Sequence, residues 1–216
     1  MGALIPLGDI SRRSTRMPAV TLLIILINVL VFFQELVYGN HFVRHWSIIP
    51  AYVVAGHRPI TILTAMFLHA GWFHILGNMI FFWAFGPAIE DAMGRGRFLL
   101  FYLSGGVVAM VAQILADPSS RIPNLGASGA IAAVMGAFLV TYPRDRIRTI
   151  LIILIFVRIT FIPASILIGF WFLIQLFHVG LVAEVQTGGV AYVAHVGGFL
   201  FGVVTARLWQ SPRRFA

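Results

Sequence analysis

The chain has 216 residues, 60% of them hydrophobic and only 10% charged, and its mean hydropathy is +0.95. A soluble domain carries about 25% charged residues, so this balance excludes an ordinary water-soluble globule and belongs to a chain solvated by lipid. The net charge is +8 and all 15 basic residues are arginine, but they cluster between apolar runs and form no basic stripe with interleaved aromatics, which argues against nucleic acid as a partner. Cysteine is absent, which removes disulfides and thiolate metal sites.

In chain order, residues 1–17 read as a tail carrying Arg12, Arg13 and Arg16, followed by an apolar run over 18–37. A run of about 20 residues spans a hydrocarbon core of about 30 Å. This one is longer than a signal-peptide core, and no small-x-small cleavage site follows it, so it is expected to be a retained first span with Pro18 in its first turn. The connection 38–68, with Trp46, Pro50, Tyr52 and Pro59, is expected as an interfacial loop, and His41, His45 and His57 as loop residues. Further spans are predicted over 69–90, 97–116, 127–142, 163–182 and 190–208. The expected fold is an all-α membrane bundle of six transmembrane helices, one domain over 18–209, with a short tail over 210–216.

The stretch 150–162 is apolar but short, rich in Ile and Thr, interrupted by Arg158 and closed by Pro163. Counting it as a seventh span would put Arg207, Arg213 and Arg214 opposite the other arginine clusters. With six spans, only Arg44, Arg58 and Arg121 lie on one side and the remaining arginines share the other. That bias assigns both termini to the cytoplasm and 150–162 to the inner interface, where strand, interfacial helix and loop all remain open.

Polar groups within apolar spans are costly and mark candidate sites. His74 and Asn78 lie in span 2, Ser128 opens span 4, and His195 lies in span 6. These three spans run in the same direction, so the four residues fall at similar depth near one membrane face. His74 and Asn78 are four apart and share a helical face. Around Ser128 and His195, Gly126, Gly129, Gly136, Gly197, Gly198 and Gly202 allow close backbone approach between spans 4 and 6. Taken singly, a glycine-rich helix is usually packing, and a lone intramembrane histidine is as often a helix-to-helix hydrogen bond as a functional group; the combination carries the case. His69 and His74, five apart on one predicted helix, do not face a common metal, and no HExxH motif occurs. His178 reads as a packing or gate residue. No carboxylate lies at the depth of Ser128, so a serine–histidine dyad is expected rather than a triad.

These residues resemble the motifs of a known family. His69-Ala-Gly-Trp-Phe-His74-Ile-Leu-Gly-Asn78 is similar to the second-span HxxxxHxxxN pattern of rhomboid proteases, Gly126-Ala-Ser128-Gly129 to their GxSG motif, and Ala194-His195-Val-Gly-Gly198 through Gly202 to their AHxxGxxxG pattern. The resemblance, to the bacterial six-span type, covers nearly all of 18–208 and implies an intramembrane serine endopeptidase of the cytoplasmic membrane. Its partners would be transmembrane protein substrates and the lipid bilayer, with no cofactor and no metal. It implies Ser128 as nucleophile, His195 as general base, and His74, Asn78, Ser128 and Gly126 as oxyanion stabilisers. It also implies a substrate gate at span 5, around Phe170 and Trp171, with the 184–189 loop. One departure is Ala132, where relatives often carry an aromatic residue stacked on the catalytic histidine. The alternatives are a non-catalytic rhomboid-like membrane chaperone and a small transporter, although no inverted repeat is found.

Overall fold

The computed structural model describes residues 2–11, 16–182 and 191–210. Arg12, Arg13, Arg213, Arg214 and the 184–189 segment, on which parts of the orientation and gate expectations rest, lie outside the described residues. The elements are strand β1 (Gly2–Asp9), helices α1 (Ala19–Trp46), α2 (Pro50–Val54), α3 (Thr61–Thr64), α4 (Trp72–Met93), α5 (Arg95–Ala116) and α6 (Ser128–Thr141), strands β2 (Arg146–Ile153) and β3 (Phe156–Pro163), and helices α7 (Ala164–Val182) and α8 (Tyr192–Trp209). The chain is a helical membrane bundle. Helices α1, α4, α5 and α8 are each long and apolar enough to cross a membrane, and α6 and the Ala164–Val179 part of α7 are shorter apolar helical stretches. Large apolar side chains such as Leu30, Phe33, Leu115, Leu173, Val204 and Leu208 point outward, as lipid-facing surfaces require.

Buried aromatic rings fill the middle of the bundle. Phe82 stacks on Phe98 at 6.2 Å and tilts onto Tyr102 at 5.1 Å, while Phe85 meets Phe138 edge-on at 5.1 Å. These pairings join α4, α5 and α6. Helices α6 and α8 approach so closely that their glycines leave no room for a side chain: a Cβ on Gly198 would strike the Gly129 carbonyl, one on Gly202 the Ala133 carbonyl, and one on Gly136 the Phe199 carbonyl. Small residues at four-residue spacing thus convert two apolar helices into a backbone-to-backbone contact.

Glu90, near the end of α4, accepts hydrogen bonds from the Val20 N–H (3.0 Å), the Thr21 N–H (2.8 Å) and the Thr21 hydroxyl (2.8 Å). A carboxylate there satisfies first-turn N–H groups that α1 leaves open and complements its positive end.

Three features differ from the sequence reading. First, α1 continues to Trp46, so His41 and His45 are helical rather than loop residues; Gly39, at φ 63°, absorbs the kink that lets the second helical segment follow the first. Second, α4 starts only at Trp72, so His69 lies before the helix and not on its face. Third, the N-terminal residues form β1, which pairs antiparallel with β2, and β2 pairs antiparallel with β3. The stretch 150–162 is therefore part of a hairpin. Its inner face buries Ile147 and Thr149, and Pro6 is tolerated because β1 is an edge strand with a bulge between Pro6 and Gly8.

Candidate active site

Ser128 is the first residue of α6, His74 the third of α4 and His195 the fourth of α8, so three helix N-termini converge. No N-cap side chain closes any of the three, and the polar residues they carry meet at one place. That place is a cavity of about 790 Å³ lined by His74, Asn78, Asn124, Ser128, Trp171 and His195 among mostly apolar neighbours. No carboxylate among the described residues belongs to its lining. Among the described residues, no three His, Cys, Asp or Glu side chains gather as metal ligands.

His195 Nε2 stands 2.6 Å from Ser128 Oγ, and its Nδ1 stands 2.8 Å from Gln175 Oε1 on α7. The amide oxygen can only accept, which places the ring proton on Nδ1 and leaves the Nε2 lone pair facing the serine hydroxyl. Trp171 tilts over the imidazole at 5.9 Å and Tyr192 meets it edge-on at 6.3 Å. Those rings, from α7 and α8, supply the aromatic contact that Ala132 lacks. His178 packs flat against Tyr192 at 4.8 Å, so it touches the site through a second ring.

Across the cavity, His74 Nδ1 accepts from the Ala70 N–H at 3.2 Å, so its proton sits on Nε2. Asn78 is 8% exposed and its Nδ2 has no hydrogen-bond partner, which leaves an amide donor free at the cavity wall. Gly126, at φ 131°, is in a region that disfavours side chains, and a Cβ there would stand 3.0 Å from His74 Nε2. Its own N–H is already donated to the Ala65 carbonyl at 2.8 Å.

The segment before Ser128 is held from outside the helical core. Asn124 exchanges backbone hydrogen bonds with Ile48 at 2.8 and 3.0 Å, and the Ala51 N–H donates to the Ser120 carbonyl at 3.0 Å. The turn before α4 is tied to α1, where Glu35 accepts the His69 N–H at 3.0 Å. His69, 5.1 Å from the His74 ring, is 1% exposed. The connection 38–68 thus braces the site, a role that its aromatic and proline content alone did not reveal.

Ser128, His195, His74 and Asn78 all reach the cavity. Missing from the sequence-derived set are Gln175 and Gln113, whose Oε1 accepts the Ala194 N–H at 3.3 Å. Both are polar residues within apolar helices, so the criterion that found His74 and Asn78 would have found them too.

A helical membrane bundle with a serine hydroxyl and an imidazole paired in a cavity at converging helix ends defines a narrow class. A family model of the Rhomboid domain matches residues 56–211. The chain belongs to the rhomboid family. It is 31% identical over 158 residues to the rhomboid protease GluP of Bacillus subtilis, covering 70% of this chain and 26% of that protein. It is 32% identical over 148 residues to the mitochondrial presenilin-associated rhomboid-like protein A of Danio rerio, covering 68% of this chain and 36% of the relative. A shorter match, 36% over 78 residues, links it to the putative rhomboid protease YdcA of B. subtilis, covering 36% of this chain and 39% of that protein. The chain therefore spans about a quarter to two fifths of the length of these relatives.

Proposed function

We propose that this protein is an intramembrane serine endopeptidase that cleaves membrane proteins in or near their transmembrane segments with a Ser128–His195 dyad. The 2.6 Å contact between Ser128 Oγ and the unprotonated His195 Nε2 carries the reading. A serine hydroxyl becomes a competent nucleophile when an adjacent base takes its proton. In this scheme His195 removes the Ser128 proton as Oγ attacks the scissile carbonyl, then returns it to the departing amine. Water entering the cavity then hydrolyses the acyl-enzyme by the same exchange.

The tetrahedral intermediate carries a negative oxygen that lipid does not solvate. The backbone N–H of Ser128, the free Asn78 amide and the His74 Nε2–H are donors of the right kind on one side of the cavity, and the positive end of α6, which begins at Ser128, adds to them. Gly126 contributes by its missing side chain, which leaves room beside His74, since its N–H is engaged elsewhere.

Substrate segments would approach past α7, where Phe170 is lipid-exposed and Trp171 lines the cavity. A covalent crosslink joining α7 to α4 across the cavity is expected to stop cleavage of a single-span substrate; undiminished cleavage would argue against entry there.

The direct test is labelling of the purified protein with a fluorophosphonate probe alongside cleavage of a single-span substrate. The wild type is expected to be labelled at Ser128 and to cleave, and Ser128→Ala to do neither. An unlabelled, inactive wild type would favour the non-catalytic membrane chaperone.

A further inference from the structure

We propose that Gln175 is a positioning residue for His195, so that the working unit is a hydrogen-bonded Ser128–His195–Gln175 array built across α6, α8 and α7; this rests on the protease reading above. Gln175 is 7% exposed and His195 6%, so both side chains meet inside the bundle, away from lipid. Its helical neighbours Leu173, Leu176 and Phe177 are exposed, which makes Gln175 the polar residue on the inward face of an otherwise apolar stretch of α7. An amide buried in an apolar setting is costly without partners. Gln175 has them: Oε1 meets His195 Nδ1 at 2.8 Å, and Nε2 donates to the Trp171 carbonyl one turn earlier at 3.5 Å. This arrangement has the oxygen end of the amide facing the ring. With the oxygen toward Nδ1, the imidazole is held as the tautomer whose Nε2 can accept the serine proton. With the nitrogen there, Nδ1 would have to accept and Nε2 would carry a proton, which cannot activate Ser128.

The same helix turn supplies Trp171, so one hydrogen bond and one ring from α7 fix the imidazole where Ala132 on α6 offers nothing. The role parallels that of the carboxylate in a triad, which orients the histidine and selects its tautomer. An amide lacks the negative charge that would also stabilise the imidazolium. The other groups facing His195 are His74 from α4 and Tyr192 from α8, with His178 of α7 behind Tyr192. A carboxylate introduced at position 175 would therefore be the sole negative group beside the ring among the described residues lining the cavity.

The experiment measures kcat and KM for a single-span substrate from pH 5 to 9 with wild type, Gln175→Leu, Gln175→Glu and Ser128→Ala, together with thermal unfolding of each. Gln175→Leu is expected to lower kcat about tenfold or more with KM within about twofold, the signature of a lost transition-state hydrogen bond. Gln175→Glu is expected to restore at least half of the wild-type kcat and to move the acid limb of the profile to higher pH, because a carboxylate raises the proton affinity of the imidazole. A Gln175→Leu enzyme with wild-type kcat and pH profile overturns the proposal. So does equal loss of activity in both variants with lowered unfolding temperature, which would make the amide purely structural. If Gln175→Leu does not fold, an unmoved acid limb in Gln175→Glu overturns it instead. Cleavage by Ser128→Ala at the wild-type rate would sink the protease reading itself, a separate outcome.

Discussion

Where α6 meets α8, carbonyl oxygens of one helix occupy the space that a side chain on the other would need, at Gly198, Gly202 and Gly136. Where α7 meets α8, rings meet rings: Phe172 stacks on Phe199 at 4.2 Å and Trp171 lies 6.3 Å from the same residue. Side-chain contacts re-form when rotamers change, whereas backbone contacts have no such freedom. The first interface is a fixed frame that keeps Ser128 and His195 in register. The second is a wall of interlocking side chains, and its inner turn, with Gln175 and Trp171, also holds the imidazole. Under the proposed function, the protein would hold two reacting atoms within hydrogen-bond distance and still admit a bulky segment, and that requires both kinds of contact.

The largest effects should come from the frame. Ser128→Ala and His195→Ala are each expected to abolish cleavage, measured as product formed from a single-span substrate, and residual wild-type turnover in either would break the assignment of chemistry to α6 and α8. Next is Asn78→Ala on α4, which removes a free donor: a fall in kcat of about 10²–10³ with the protein still folded is expected, as for other oxyanion donors. An unchanged kcat would remove the amide from that role.

A pair of glycine substitutions sharpens the comparison most directly. Gly202→Ala pushes a methyl into the Ala133 backbone and is expected to cost about 1–3 kcal/mol, read as a lower unfolding temperature in detergent. Gly169→Ala on α7 meets nothing within 4 Å and is expected to be neutral or to stabilise the helix by up to about 1 kcal/mol. Equal destabilisation by both would erase the distinction between the two walls.

Much of this was legible from residue types and spacing. Apolar runs gave the helices, and the rarity of polar groups inside them singled out Ser128, His195, His74 and Asn78, which the fold brings to one cavity. Less legible were features that depend on distant partners. Gly2–Asp9 is a strand only because β2 lies beside it, and nothing local in eight residues with a proline announces that. The extension of α1 past Gly39 passes through polar residues that read as a loop, and only the glycine's backbone freedom permits it. Gln175 was legible as a polar residue in an apolar run, but the third group expected beside a histidine is a carboxylate, and the partner here is a neutral amide.

The shortness of α6 has its own consequence. Its 14 residues rise about 21 Å, well under a hydrocarbon thickness of about 30 Å. Ser128 tops this helix, so the protein acts as its own ruler: under the proposed function, the altitude of bond cleavage is set by a count of residues rather than by whatever lipid surrounds the bundle. Adding one turn to α6 would lift the hydroxyl about 5 Å toward the headgroups and out of register with the imidazole.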